Sequence, residues 1–441
     1  MKHPENVILQ GNVLDVLKTL PDEFIDCIVT SPPYFNLRDY QTEGIIWDGD
    51  SVCEHDWVKH VKKPTGGKGS KTANVGANKN DDANMRSHDI ISNFCNKCGA
   101  WKGSLGLEPT PDLFIKHLCD IFDEVKRVLK PTGTCWVNLG DSYGTGSGSG
   151  VREGKQATVR GIKNFKDWED NGKAKIPGFE KSLLLIPERF ALEMCGRGWI
   201  LRNKIVWKKN NCMPASVTDR FTVDWEAIFF FTKNKQYFFE QQFEQAKDPE
   251  DNIRRLMKAQ EYNKNEQGGN SNFNQENRNL EAVTERMNKG RNKRCVWEIN
   301  TRPNSVAHFA CFPPELPANC IKAGCPEQIC NKCGQPRQKI YEDGEIIDER
   351  DPEQVLRAKN QEQLGQGGLR GGYVKREKIE KGHSDCGCNA GFHSGLVLDI
   401  FAGSGTTLDV ARKLSMKYLG IELNKEYIEI INKRLAQGML F

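Results

Sequence analysis

Apolar positions in this chain gather into short runs that alternate with helical spacings. Val7-Ile8-Leu9, Phe24-Ile25-Asp26-Cys27-Ile28-Val29, Leu396-Val397-Leu398 and Lys417 to Glu422 are brief, polar-bounded runs, the pattern of buried strands. Leu113, Leu118, Ile121, Phe122, Val125, Val128 and Leu129 recur at helical spacing, with Pro111 early in the helix, where a missing N–H costs nothing. Pro131-Thr132-Gly133 then turns into a strand from Thr134 to Asp141. A helix over 184–199 follows, then a basic and apolar alternation from Ile200 to Lys209 and a strand from Glu226 to Lys233 whose Phe229–Phe231 run belongs in the core. A further helix leads through Ile321. Leu408, Val410, Ala411 and Leu414 give another helix, just after the Leu396–Leu398 strand. Strands alternating with helices predict an α/β fold.

Between that last strand and helix lies Asp399-Ile400-Phe401-Ala402-Gly403-Ser404-Gly405-Thr406-Thr407. Gly403 and Gly405 let the backbone approach a ligand closely, and the helix start offers free N–H groups. Glu422, closing the following strand, stands where an acid would bind ribose hydroxyls in a nucleotide-type site. The pattern is neither the dinucleotide fingerprint, because Leu408 takes the place of its last glycine, nor a P-loop, because no Gly-Lys-Ser/Thr follows.

Composition narrows the class. The chain has 441 residues, 37% of them hydrophobic and 28% charged, which suits a globular protein of about two to three domains. No apolar run approaches a membrane span, and the start, Met1-Lys2-His3-Pro4-Glu5-Asn6, is too polar for a signal peptide, so a cytoplasmic location is expected. A net charge of +4 is too small to identify a nucleic-acid partner.

A second motif, Thr30-Ser31-Pro32-Pro33-Tyr34, follows the strand at Phe24–Val29. Together with Phe401-Ala402-Gly403-Ser404-Gly405 it resembles the beta group of DNA amino-methyltransferases, in which the Pro-Pro-Tyr motif precedes the glycine motif along the chain. The resemblance covers roughly residues 7–34, 110–143, 183–235, 300–327 and 395–435. It implies a Rossmann-like, S-adenosylmethionine-dependent methyltransferase fold: a seven-stranded, mostly parallel sheet in circularly permuted motif order. Asp219-Arg220-Phe221 and Glu226–Lys233 resemble the later strands of that sheet.

The family pattern also implies roles. Ser31, Pro32, Pro33 and Tyr34 would be catalytic. The Ser31 hydroxyl and Pro32 carbonyl would accept from the hydrogens of an exocyclic amine, with the proline rings fixing the carbonyl's direction, and Tyr34 would stack on a flipped base. Asp399, Phe401, Ala402, Gly403, Ser404, Gly405, Thr406, Thr407 and Glu422 would bind S-adenosyl-L-methionine, joined by His308 and Phe312. Asn12 stands where the family usually carries an acid for the cofactor adenine, and its amide carbonyl can still accept a hydrogen bond. Ser rather than Asp before Pro-Pro-Tyr resembles the cytosine-N4 subset, with adenine-N6 as the alternative. The partner implied is double-stranded DNA, in a prokaryotic or phage setting, with a restriction endonuclease partner and a homodimer both left open. RNA or free nucleotides are a further alternative substrate. From another class, a zinc-stapled DNA-binding protein without catalysis remains to be tested.

Cysteine usage adds two metal candidates. Of sixteen cysteines, nine (Cys27, Cys119, Cys135, Cys195, Cys212, Cys295, Cys311, Cys320 and Cys325) sit in apolar or strand-like context and are expected to pack as small hydrophobes. The others have metal-ligand spacing. Cys53, His55, Cys95 and Cys98 would close one tetrahedral Zn2+ site, and Cys330, Cys333, Cys386 and Cys388 a second. His383 or His393 could replace a ligand of the second site, and cross-pairing between the two groups is open.

The organisation read from these features is a catalytic region over 1–34 and 110–239, interrupted by a zinc-binding insertion over 35–109. A target-recognition region rich in Asn, Gln and Arg covers 240–300, where such side chains can read base edges. A cofactor-binding region covers 301–328 and 395–441, with a second zinc-binding insertion over 329–394. Gly144, Gly146, Gly148 and Gly150, alternating with Ser and Thr, suggest a mobile lid or DNA-contacting loop running to about Lys181.

Overall fold

The apolar runs do form strands. The computed structural model describes residues 4–36, 44–61, 89–144, 179, 181–244, 291–302, 312–346 and 376–437. Contacts divide the chain into two compact units. One comprises Met1–Pro32, Asp123–Leu139 and Met194–Phe441; the other comprises Pro33–Phe122 and Gly140–Glu193.

The first unit is built on one sheet of eight strands: β1 (Val7–Gln10), β2 (Ile25–Thr30), β3 (Leu129–Leu139), β4 (Ile200–Lys208), β5 (Trp225–Thr232), β6 (Val296–Glu298), β7 (Leu396–Asp399) and β8 (Lys417–Glu422). Their spatial order is β1-β8-β7-β2-β3-β5-β4-β6. Five of the seven pairings are parallel, and β5 runs antiparallel to both β3 and β4. All six residues of β2 and all four of β7 are buried, as expected of strands covered on both faces. Helices α1 (Val13–Thr19), α4 (Glu315–Gly324), α5 (Thr406–Lys413) and α6 (Lys425–Gln437) belong to this unit. Apolar positions of α4, α5 and α6 join one core that includes Val29, Trp136, Phe230, Leu316, Ile321, Val397, Leu408 and Ile431. Trp136 and Phe230 stack with centroids 4.0 Å apart.

Three expectations need correction. The sheet has eight strands rather than seven, because Val296–Glu298 adds a parallel edge strand to β4. Asp219-Arg220-Phe221 is not a strand. It lies in the exposed β4–β5 connection, where Phe221 is 96% exposed and Val223 52% exposed, so the local alternation of apolar residues has no core to pack against. Cys27, Cys119, Cys135, Cys320 and Cys325 are buried as expected, but Cys195 and Cys295 are exposed and Cys212 is half-buried. Cys311 lies outside the described residues.

The second unit carries a four-stranded antiparallel sheet, ordered Ile45–Trp47, Trp101–Gly103, Asp89–Cys95 and Trp57–Val61. Helix α2 (Pro111–Val128) contributes its first residues to this unit, and α3 (Ile186–Gly196) contributes most of its length. Phe122 of α2 meets Phe190 of α3 edge to face, at 5.2 Å. Buried His117 of α2 is stacked on Trp47 at 4.5 Å and lies between Glu108 (3.0 Å) and Asp48 (3.2 Å). Among the described residues no helix is long and apolar enough to cross a membrane.

Candidate active site

Parallel strands end at one edge, and their carboxyl ends assemble the two motifs. β2 delivers Thr30, Ser31 and Pro32, while its neighbour β7 delivers Asp399 and the glycine turn. One hydrogen bond joins them directly: the Thr30 hydroxyl donates to Asp399 Oδ1 over 2.7 Å, across 369 positions of sequence. Asp399 is fully buried. Burial raises its pKa to about 6, although the hydroxyls of Thr407 and Thr30 and the Phe401 N–H all favour the ionised form.

The turn itself is held open by backbone geometry. Gly403 and Gly405 both have left-handed φ, 51° and 77°. A Cβ at Gly405 would strike Ile431 of α6 at 2.9 Å, whereas one at Gly403 would meet nothing nearer than the Phe401 carbonyl oxygen at 3.9 Å. Space is thus left over Gly403. The Gly403 N–H donates to Glu422 Oε2 over 2.8 Å, and the Asn424 N–H to Glu422 Oε1 over 2.8 Å. Burial pushes the Glu422 carboxyl up from its ordinary value, against those N–H groups. Ala402, Ser404, Thr406 and Thr407 are buried in or just after the turn, and Phe401 is half-buried. Arg434 of α6 donates to the Ser404 carbonyl (3.2 Å) and to the Thr406 hydroxyl (3.0 Å), a brace that no motif announced.

Asn12 follows β1 by two residues, but its Oδ1 accepts from the Leu14 N–H over 2.9 Å, so the side chain caps α1. Half-buried Phe312 packs against the core. His308 lies outside the described residues, as do 245–290 of the 240–300 region and most of the glycine-rich loop after Gly144. The described flanks of the former, Phe243–Glu244 and Arg291–Asn292, pair antiparallel.

At the same carboxyl edge stands a polar group built on Asn138, which the sequence placed near the site without its contacts to Ser31 and Glu226. Ser31 Oγ lies 3.5 Å from Asn138 Oδ1. Asn138 Nδ2 donates to Glu226 Oε2 (3.1 Å) and to the Ala227 carbonyl (3.2 Å), and Lys209 pairs with the other Glu226 oxygen. The connection over 209–224, also at this edge, exposes Met213 as well as Phe221.

The boundary between the units falls between Pro32 and Pro33. Within the second unit the Tyr34 ring occupies the room left by Gly140, where a Cβ would come within 2.5 Å of it. Asp141, close by in sequence, accepts from the N–H groups of Ser142 (2.8 Å) and Ile186 (3.0 Å), so it organises the start of α3.

Both cysteine groups come together as the spacing predicted. The ligand atoms of Cys53, His55, Cys95 and Cys98, and separately those of Cys330, Cys333, Cys386 and Cys388, lie within 4.8 Å of one another. In the first group Cys53 and Cys95 sulfurs are 3.9 Å apart, and Cys98 Sγ is 3.4 Å from His55 Nδ1. Tetrahedral zinc bonds require edges of about 3.8 Å between sulfurs and about 3.5 Å from sulfur to nitrogen, so the donors fit such an ion. Backbone N–H groups of Cys333 and Lys332 bring the Cys330 thiol down to about 6, toward the thiolate a metal needs. Neither His383 nor His393 belongs to a group, and each group draws on its own insertion.

Comparison with known proteins accords with this arrangement. A DNA methylase family model of the N6/N4 type matches residues 25–332 and 389–433. The type II methyltransferase M.Cfr9I of Citrobacter freundii is 27% identical over 430 residues, covering 97% of this chain and 87% of that protein. M.SmaI of Serratia marcescens is 26% identical over 439 residues, covering 98% and 90%. Among solved structures, PvuII DNA methyltransferase (cytosine-N4-specific) aligns at 13% identity with a TM-score of 0.45, covering 98% of this chain and 86% of that one. Because the family model spans both motifs and most of the chain between them, the chain belongs to the N6/N4 DNA methylase family.

Proposed function

We propose that the protein transfers a methyl group from S-adenosyl-L-methionine to the exocyclic N4 amine of a cytosine flipped out of duplex DNA. The observation that carries this reading is the Thr30–Asp399 hydrogen bond, which sets the Ser31-Pro32 step and the glycine turn on neighbouring strand ends. The open space over Gly403 and the carboxylate of Glu422 suit the cofactor, with Phe401 and the turn residues up to Thr407 around it. Phe312 and His308 would join this side, and Asn12 would do so only by sharing the oxygen that caps α1. When bound, S-adenosyl-L-methionine supplies a methyl group on a positively charged sulfur.

The chain's own work is orientation. A cytosine amine is a poor nucleophile because its lone pair is delocalised into the ring. The Ser31 hydroxyl and the Pro32 carbonyl each accept one amine hydrogen, which favours a pyramidal nitrogen with its lone pair free. Pro33 stiffens the turn and Tyr34 stacks on the base. Exposed Phe221 and Met213, on the connection at the same edge, suit contact with a distorted duplex. The two cysteine groups would each hold one structural Zn2+, pinning their insertions. The relatives named type II methyltransferases support a role beside a restriction endonuclease.

Treating unmethylated DNA with the protein and cofactor, then digesting it to nucleosides for mass spectrometry, tests the reading. N4-methylcytosine is expected. N6-methyladenine would overturn the choice of base, and no methylated nucleoside would overturn catalysis and favour a zinc-stapled DNA-binding protein. Metal analysis of the same preparation should give two zinc ions per chain, falling to one in Cys386→Ser.

A further inference from the structure

The methyl-transfer reading requires Ser31 to act as an acceptor, yet a serine hydroxyl can donate as readily as accept. Asn138 removes that ambiguity. It lies on β3, 3% exposed, and its two amide hydrogens point at two obligate acceptors, the Glu226 carboxylate (3.1 Å) and the Ala227 carbonyl (3.2 Å). Turning the amide over would aim its oxygen at both of them, so Nδ2 must face Glu226 and Oδ1 must face Ser31. Lys209 pairs with the other Glu226 oxygen, and its ammonium is itself seated over the Trp207 ring, 4.4 Å from its centroid.

Oδ1 carries no hydrogen. The contact between Asn138 Oδ1 and Ser31 Oγ, 3.5 Å, therefore has one available proton, that of Ser31. At that length it sets a direction more than it adds strength. With its hydrogen turned toward Asn138, the hydroxyl presents lone pairs elsewhere.

We propose that Asn138, oriented by Glu226 and Lys209, is a positioning residue that directs the Ser31 hydrogen away from the substrate and so makes Ser31 an acceptor for the target amine. The inference deepens the methyl-transfer reading and rests on it. It also gives a reason for serine here. A carboxylate at position 31 would face Asn138 Oδ1, acceptor against acceptor, while the amide is prevented from turning by Glu226 and Ala227. The network is matched to a hydroxyl.

The test is a double-mutant cycle on the full-length, metal-loaded protein. Single-turnover methyl transfer to unmethylated bacteriophage lambda DNA is timed for wild type, Ser31→Ala, Asn138→Ala and the double variant. Removing a direct electrostatic partner typically slows a reaction by about a hundredfold or more, and an indirect one by less, so Asn138→Ala should be slower by about tenfold to a hundredfold. If Asn138 acts through Ser31, the double variant is no slower than Ser31→Ala. Losses that multiply in the double variant would overturn the proposal, as would a wild-type rate in Asn138→Ala. A second readout stands apart from the residual rate of Ser31→Ala. Asn138→Ala should lower kcat while the cofactor KM stays put, whereas a raised cofactor KM at unchanged kcat would assign Asn138 to packing and overturn the proposal. Ser31→Asp should be no faster than Ser31→Ala; a faster Ser31→Asp would also overturn it. A wild-type protein that transfers no methyl to DNA would defeat the methyl-transfer reading itself before any variant is compared.

Discussion

The two halves of the central sheet end differently. On the β1-β8-β7 side the strands are parallel and finish in a glycine turn closed by two carboxylates, buried Asp399 and half-buried Glu422, each satisfied by N–H or hydroxyl donors. On the side of β2, β3, β5 and β4 two pairings are antiparallel, and the edge presents a hydroxyl, an amide and a lysine–glutamate pair drawn from four strands or their ends. One half is a backbone device and the other a side-chain device. The first should therefore govern occupancy and the second the rate of reaction.

That division can be broken most directly on the side-chain half. Ser31→Ala should lower turnover by about a hundredfold or more while cofactor affinity, measured by calorimetric titration, changes little. A loss of affinity matching the loss of turnover would erase the distinction. The backbone half should show the converse. Gly405→Ala demands left-handed backbone from alanine and drives its methyl into Ile431, so it should destabilise the protein by about 1–3 kcal/mol and weaken cofactor binding, readable by denaturant titration and calorimetry.

Asp399 offers a finer measurement. Its folded-state pKa, about 6, is raised by burial above the ordinary 3.8. The fold thus holds this proton more tightly than the unfolded chain does. The contribution is fully present below about pH 4 and is lost as pH rises through about 6, an effect of about 3 kcal/mol at most. Asp399→Asn, measured against wild type by chemical denaturation from pH 4 to 7, should remove this part of the pH dependence. Parallel curves would show that Asp399 is not the group responsible. The smallest effect expected is that of Phe221→Ala, a few-fold rise in the KM for duplex DNA with the cofactor KM unchanged. No change in either would remove the 209–224 connection from the DNA-contacting surface.

Motifs made of consecutive residues were legible without coordinates. Leu396–Leu398 followed by Gly403 and Gly405 specified a strand, a turn and a helix, because each step has its own backbone preference. The cysteine groups were legible for a similar reason: Cys95-Asn96-Lys97-Cys98-Gly99 and Cys330-Asn331-Lys332-Cys333-Gly334 are the same pentapeptide, and both glycines adopt left-handed φ. Contacts between distant residues were not legible. Asn138 meets Ser31 across 107 positions and Glu226 across 88, and nothing local marks an asparagine in a buried strand as the partner of either. Edge strand β6 escaped notice because three residues carry too little periodicity, and Asn12 was read for a ligand when its own helix uses it first.

The placement of β7 between β8 and β2 has a consequence for biosynthesis. A nascent chain emerges from the ribosome with β2 and β3 available early, yet the neighbour that covers the other edge of β2 is translated more than 360 residues later. Throughout that interval a six-residue strand destined for burial has an open flank, the kind of edge that chaperones shield and that aggregates recruit. Slowing translation before residue 396 should therefore lower the soluble yield more than slowing it afterwards. The glycine turn thus reaches its place beside β2 only after that strand has waited through most of the intervening chain.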